Sequence, residues 1–337
     1  MSTQTDSSSF PTVTVVVPVY NGAITIGNCL ESLLAQTYPP DRYEIVVVEN
    51  GSTDETTAVV ERYPVRLLHN QVRGPAAARN RGIQASEADF IAFTDADCLV
   101  APTWLAELLK PFQDLTIGAV GGDIQPYRHN NRTDVELFND ENSPWVNYLS
   151  GKHEFLPQIY TPNAIYRRSL LVAINGFNEQ LLTGEDVEMS WRIQMETGTH
   201  FAYTPQAVVY HHHRSTRQGL SRQYRQYGFG EILLDTMFSR YPGYPRTLKT
   251  QLGRLVKQMM VLPRYVASGL LRRIRLVRGR VTPYEATTPW LWFLAESSNI
   301  QGKIEGLLAT RFMTDATPAL HIKPDIFIAR MFPSRKS

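Results

Sequence analysis

Cysteine is scarce in this sequence: Cys29 and Cys98 are the two in 337 residues. Two thiols make neither a disulfide framework nor a cysteine-based zinc set, and such scarcity fits a reducing compartment. Charge of one sign is lacking too. Thirty-four Lys and Arg face 32 Asp and Glu, a formal net charge of +2, so no global field would hold a nucleic acid. No run of about 18 apolar residues occurs, which argues against a membrane-spanning helix. The opening MSTQTDSSSFPT has no basic stretch followed by an apolar one; residues 1–11 are expected to be a disordered lead, not a secretion signal. A glycine-rich phosphate loop is missing as well. The first apolar run ends in VPVYNGAIT, without G-x-G-x-x-G, which argues against a dinucleotide dehydrogenase and against a nucleotidyltransferase.

Apolar residues, at 43%, suffice for a sizeable core, and their pattern is informative. VTVVVPVY, YEIVVVEN, VRLLHN and DFIAFTDAD are short β-rich runs of the kind buried on both faces of a sheet. Helical patterns separate them. ITIGNCLESLLAQ puts Ile26, Leu30, Leu33 and Leu34 on one face. Ser52 or Thr53 suits the cap of the next helix, and Pro75 the first position of the alanine-rich one. Such alternation predicts an α/β fold with a mostly parallel, Rossmann-like sheet flanked by helices. Ligands of such sheets bind beyond the carboxyl ends of the strands. Further on, IGAVGGDIQPY and AVVYHHH read as strands, and LLTGEDVEMSWRIQMETG as a helix stopped by Gly198.

Those strand ends carry polar groups: Tyr20-Asn21, Glu49-Asn50, His69-Asn70, and Asp95 with Asp97. Roughly one Asp-x-Asp is expected by chance in this length, so position rather than occurrence gives the pair meaning. Carboxylates at this edge suit Mg²⁺ or Mn²⁺ shared with a substrate phosphate. Asp97 is placed to hold such an ion and Asp95 to take a ribose hydroxyl or an ion-bound water; a plain turn is the bland alternative. Glu49 suits a base N–H or a ribose hydroxyl, or a helix cap. Arg73, Arg79 and Arg81 suit phosphate, or surface ion pairs.

In order along residues 12–215, VTVVVPVYNG, EIVVVENGSTDET, GPAAARNRGI, FIAFTDADC, GFNEQLLTGEDVEMSWR and AVVYHHHR resemble family 2 glycosyltransferases, inverting enzymes of the GT-A fold that use nucleotide sugars. One departure stands out: Glu49-Asn50 replaces the family's usual Asp-Asp or Asp-Asn. The resemblance implies a nucleotide-sugar-binding half over 12–125, an acceptor-binding and catalytic half over 126–215, and a mainly helical extension over 216–337. By it, Val19 and Tyr20 line the nucleotide pocket, Glu49 meets the base, Arg79 touches the donor, and Asp95 and Asp97 form the metal motif for Mn²⁺ or Mg²⁺. The GED segment matches the family's acidic pair, Glu185 and Asp186, with Asp186 as general base. An acidic helix start would explain the same residues by the helix dipole. The late histidine that completes the metal shell corresponds to His211 first and His213 second, with pyrophosphate contact or packing as the alternative.

The implied reaction moves a sugar from a nucleotide diphosphate sugar, UDP being the expected carrier, to a hydroxyl of a saccharide or lipid-linked acceptor, in cell-surface polysaccharide or glycolipid synthesis. An inactive nucleotide-sugar-binding module is the rival reading. Trp145, Tyr148 and Tyr160 lie in the expected acceptor region; Trp191 reads as core by its helical spacing. RQYRQYGFG resembles the Gln-x-x-Arg-Trp signature of processive synthases but lacks the tryptophan, so a non-processive enzyme is expected. Residues 253–280 hold eight Arg or Lys and no acid, with Pro263 interrupting; this predicts a pair of interfacial amphipathic helices on an anionic membrane surface. The expected location is cytoplasmic, peripheral on the inner face of the cell membrane.

Overall fold

The computed structural model describes residues 10–142, 155–181 and 183–311, which divide into two compact units. The first contains residues 10–127 and 155–212 and is built on one eight-stranded sheet. Its strands are β1 (Val13–Val19), β2 (Tyr43–Glu49), β3 (Arg66–His69), β4 (Phe90–Phe93), β5 (Cys98–Val100), β6 (Ile117–Pro126), β7 (Ala164–Arg167) and β8 (His200–His211), in spatial order β3-β2-β1-β4-β7-β6-β8-β5.

Why the first strands read as unbroken apolar runs is plain from where their side chains go. Along β1, Val13, Val15, Val17 and Val19 enter one core and Val16 the other. On β2, Ile45 and Val47 face the first core, Val46 and Val48 the second; on β4 the same split separates Phe90 and Ala92 from Ile91 and Phe93. Successive side chains of a strand point to opposite faces, so a sheet covered by helices on both sides needs apolar residues at every position. Helix α1 (Ile26–Leu34) covers the first face with Ile26, Cys29, Leu30 and Leu33; Leu34, expected in that stripe, is 39% exposed. Helix α2 (Thr56–Val60) follows β2, and α3 (Pro75–Gln84) covers the second face with Pro75 at its first position. Trp104, Leu105 and Leu108 of α4 (Trp104–Leu109) close the first core.

The four strands β1 to β4 pair in parallel. Beyond β4 the sheet is mixed: β7 is antiparallel to β4 and β6, β6 is parallel to β8, and β5 is antiparallel to β8. The three-residue β5 was not anticipated. It is too short to show periodicity, yet its register sets Cys98 opposite His211.

The second unit holds residues 128–142 and 213–311. Its helices are α5 (Asp134–Asn142), α8 (Arg217–Phe238), α9 (Leu248–Val277) and α10 (Pro283–Arg311); α6 (Arg168–Ala173) and α7 (Glu185–Thr197) belong to the first unit. The resemblance implied an acceptor-binding and catalytic half over 126–215, whereas residues 128–142 group with the helices. There Phe138 packs on Trp292, ring centroids 4.9 Å apart, among Val135, Leu220 and Leu291. The side chain, not chain order, decides this: Phe138 finds its apolar partners among the helices. The expected helix pair over 253–280 is a correction too. Helix α9 is one continuous element running through Pro263. Proline deletes one internal hydrogen bond, which a 30-residue helix can lose and still persist. Helices α8 and α10 approach through glycine: a Cβ on Gly302 would lie 1.9 Å from the Arg225 carbonyl, and one on Gly228 2.1 Å from that of Asn299. No described helix is long and apolar enough to cross a membrane.

Candidate active site

The loops after β1 and β2 are stitched to each other. Asn21, in the left-handed region at φ 51°, accepts the Thr53 N–H at 2.8 Å and donates its own N–H to the Ser52 hydroxyl at 3.0 Å. Gly22 donates to the Thr56 hydroxyl and Ala23 to the Asp54 carboxylate. The expected cap from Ser52 or Thr53 is therefore not made; Asp54 receives the Thr56 N–H at 3.1 Å instead. Tyr20 stands at this edge 55% exposed, whereas the Val19 side chain is buried, its Cγ2 only 2.7 Å from where a Cβ on Gly22 would lie, and its carbonyl accepts the Asn50 N–H. The Val19 side chain thus packs beneath the loop that begins at Tyr20.

Glu49 is buried at the end of β2. Burial alone would raise its carboxyl, but the Ser52 backbone N–H and hydroxyl, together with His69, hold it below its ordinary value. His69 Nδ1 lies 3.2 Å from Glu49 Oε2. An ionised acceptor is thereby kept at the strand edge. The extra methylene relative to aspartate is consistent with this reach to Ser52 and to the outer strand.

Arg79, on α3, gathers the acidic groups. Its guanidinium donates to Asp95 Oδ1 at 2.9 Å and to Glu185 Oε1 at 2.8 Å, and stands 5.7 Å from the centre of the Phe177 ring. The side chain is 5% exposed, and its two terminal nitrogens are engaged by carboxylates. The resemblance implied a contact with the donor; in the structure, two ion pairs occupy the buried guanidinium. Phe177 is held by Asn80, the next residue of α3, whose side-chain oxygen accepts the Phe177 N–H at 2.8 Å and whose amide donates to the Phe177 carbonyl. Gly176 makes this clamp possible: at φ +66°, any Cβ would be 2.3 Å from Asn80 Oδ1.

Gly184, at φ 77°, turns the chain into α7 so that Glu185 and Asp186 begin the helix. The two acids then part. Glu185 is committed to Arg79. Asp186 accepts backbone N–H groups from Val187, at 2.8 Å, and from Thr161. Burial pushes Asp186 up to about 7, the Glu185 charge adds to the rise, and Arg79 opposes it. One turn later, Glu188 and Arg192 form a buried, bidentate i,i+4 pair at 2.7 and 3.1 Å. Arg192 also donates to the carbonyls of Ile174 and Gly176, which ties α7 to the turn that positions Phe177. Trp191 is buried as expected, its indole donating to the Leu156 carbonyl. Tyr160 accepts from the Gln158 amide; Trp145 and Tyr148 lie outside the described residues.

Asp97 faces His211, Oδ1 to Nε2 at 3.5 Å, because β5 and β8 run antiparallel with Cys98 opposite His211. The ligand atoms of Asp97, Cys98 and His211 lie within 4.8 Å of one another. Burial pushes the Cys98 thiol well up, with Asp97 and Asp95 adding to the effect, so at neutral pH it is a small buried group rather than a thiolate. The oxygen and nitrogen donors left, Asp97 and His211, suit Mn²⁺, and they are too few to complete a shell, which leaves positions for substrate oxygens. His213 does not share this set: it is within 3.8 Å of Asp140 in the helical unit. Strand β8 stops at His211, so strand alternation does not extend to His213.

The roles of Asn80, Phe177 and Asp54 were not foreseen. Only the glycine of GFN hinted at the first two, since a left-handed turn beside an aromatic is a local signal; their partners are about a hundred residues away in sequence.

Residues 14–174 match the family described as Glycosyl transferase family 2. The chain is 27% identical over 301 residues to glycosyltransferase AglE of Haloferax volcanii, which covers 87% of this chain and 96% of that protein. It is 34% identical over 221 residues to the pre-mycofactocin glycosyltransferase of Mycobacterium tuberculosis, covering 60% of this chain and 43% of that one. Among solved structures it is similar to the mannosyltransferase PcManGT from Pyrobaculum calidifontis in complex with GDP-Man and Mn²⁺, at a TM-score of 0.63 and 22% identity over 90% of this chain and 89% of that one. The last likeness is one of fold, the mixed α/β sheet with flanking helices of the GT-A type.

Proposed function

This chain is a family 2 glycosyltransferase, its family domain spanning residues 14–174, and from that premise we propose an inverting, metal-dependent transfer of a sugar from a nucleoside diphosphate sugar, UDP first among carriers, to an acceptor hydroxyl. The observation that supports this most directly is the buried Arg79, which ties the Asp95 side of the site to the Glu185-Asp186 helix start.

In this reading the edge beyond β1 and β2 takes the nucleoside. Tyr20 packs on it, and Glu49, held ionised, accepts a hydrogen bond from the base or ribose. Asp95, with one oxygen on Arg79, keeps the other toward the ribose. Asp97 and His211 would hold Mn²⁺ or Mg²⁺. When bound, the cation neutralises the charge that builds on the pyrophosphate as it leaves. Asp186 takes the proton of the acceptor hydroxyl as that oxygen bonds to the anomeric carbon. The bond from that carbon to the phosphate oxygen breaks, and the nucleoside diphosphate departs with the electron pair. A carboxylate pushed up to about 7 is matched to this task, because a base works best near the operating pH. Arg79 and Glu185 position the two acidic sides without touching substrate.

The acceptor is a saccharide or lipid-linked hydroxyl, in cell-surface glycan synthesis at the inner face of the membrane. A donor-hydrolysis screen across UDP-, GDP- and dTDP-sugars with Mn²⁺ or Mg²⁺ tests the reading. Metal-dependent release of one nucleoside diphosphate is expected. Release from none, together with no Mn²⁺-dependent nucleotide heat in calorimetry, would overturn it.

A further inference from the structure

Helix α9 carries an apolar stripe that its own bundle does not use. Val256, Met259, Met260, Leu270, Ile274 and Val277 are each more than half exposed, between 52% and 89%. At 3.6 residues per turn they fall within an arc of about 100° on a helix about 45 Å long. The opposite face does the packing. There a Cβ on Gly269 would meet the Trp290 ring at 2.6 Å, Tyr265 stacks on Trp292, and Gln258 donates to Glu296 and Asn299. The exposed stripe is therefore surplus to holding the bundle together.

Its flanks are cationic. Lys257, Arg264 and Arg275 border one edge of the arc and Arg273 the other, with Arg278 and Arg280 just past the helix end. No Asp or Glu occurs between Asp235 and Glu285. A contiguous exposed apolar patch of this extent marks an interaction surface. The charge pattern selects its occupant. A second copy of this stripe would bring cations against cations. A flat anionic surface with an apolar interior satisfies both the stripe and its flanks, with the long cationic side chains reaching the headgroups.

We propose that α9 lies along an anionic lipid bilayer, inserting this stripe to the depth of the headgroup boundary without crossing. No described helix is able to span, so the attachment is reversible and salt-sensitive. The inference is independent of the transfer chemistry proposed above, and vesicle binding tests it alone.

The test is flotation of the full chain with phosphatidylcholine vesicles, with or without phosphatidylglycerol. The protein should float with the anionic vesicles and not with the neutral ones, and high salt should weaken it. Arg264→Gln with Arg275→Gln should lower the partition coefficient roughly 30-fold, at about fivefold per cation. Met260→Gln with Leu270→Gln and Ile274→Gln should reduce binding to background while the circular dichroism melt stays that of the parent, since these side chains are already exposed. Failure to float with anionic vesicles, equal binding to neutral ones, or indifference to both sets of substitutions would overturn the proposal. So would a concentration-dependent dimer that the apolar substitutions dissolve, which would assign the stripe to a second copy.

Discussion

Replacing Arg79 by methionine removes a buried cation while keeping most of its volume. In the parent, the guanidinium is 5% exposed and bonded to Asp95, itself 26% exposed, and to Glu185, 9% exposed. Removing one partner of a buried pair costs about 3–5 kcal/mol because the other charge is left without compensation. Solvent reaches part of Asp95, so the low end, about 3 kcal/mol, is expected. At about 2–4 °C per kcal/mol for a unit of this size, the melting temperature should fall by roughly 6–12 °C at neutral pH. Arg79 also opposes the rise of Asp186. Its loss should move the acid limb of the pH–rate profile to higher pH, a shift that a purely structural role would not produce. Circular dichroism melts at neutral pH, with donor turnover across pH on the same samples, measure both. Arg79→Met with Glu185→Gln should recover part of the stability. A single variant melting within about 2 °C of the parent, with an unmoved profile, would refute the reasoning.

Asp186→Asn should lower transfer by about 10²–10⁴-fold. Because burial holds Asp186 at about 7, above its ordinary 3.8, its ionisation disfavours the folded state; stability should fall between those values as pH rises in the parent and not in the variant, as melts across pH will show. Asp97→Ala and His211→Ala should each abolish the Mn²⁺-dependent part of nucleotide affinity in calorimetry, leaving the metal-independent part. Gly302→Ala should destabilise the helical unit by at least about 1–3 kcal/mol, its Cβ meeting the Arg225 carbonyl at 1.9 Å. Gly253→Ala, with nothing within 4 Å, should stabilise α9 by about 0.5–1 kcal/mol, and paired denaturant melts will separate the two.

Much of this protein was written along the chain. The β1, β2 and β4 runs declare a sheet buried on both faces, because a strand covered on one side alone would alternate with polar residues. Pro75 opens α3 and Gly198 closes α7, since proline has no N–H to lose there and glycine tolerates the left-handed turn. The acidic pairs at Asp95, Asp97, Glu185 and Asp186 were visible as residues at strand and helix ends. Pairing direction beyond β4 was not, because side-chain alternation is the same in parallel and antiparallel strands; β7 and β5 became antiparallel only in the folded sheet. Nor could sequence assign each acid its partner. Arg79 lies 16 residues from Asp95 and 106 from Glu185, and only the packing of α3 against the sheet brings all three together. His211 ranked before His213 in AVVYHHHR, but nothing local parts them; the end of β8 between them sends one to Asp97 and the other to Asp140. Local chemistry fixes which residues can act, since propensity and burial are properties of short segments. Which of them meet, and which are spent holding the others in place, is decided by contacts across the whole chain.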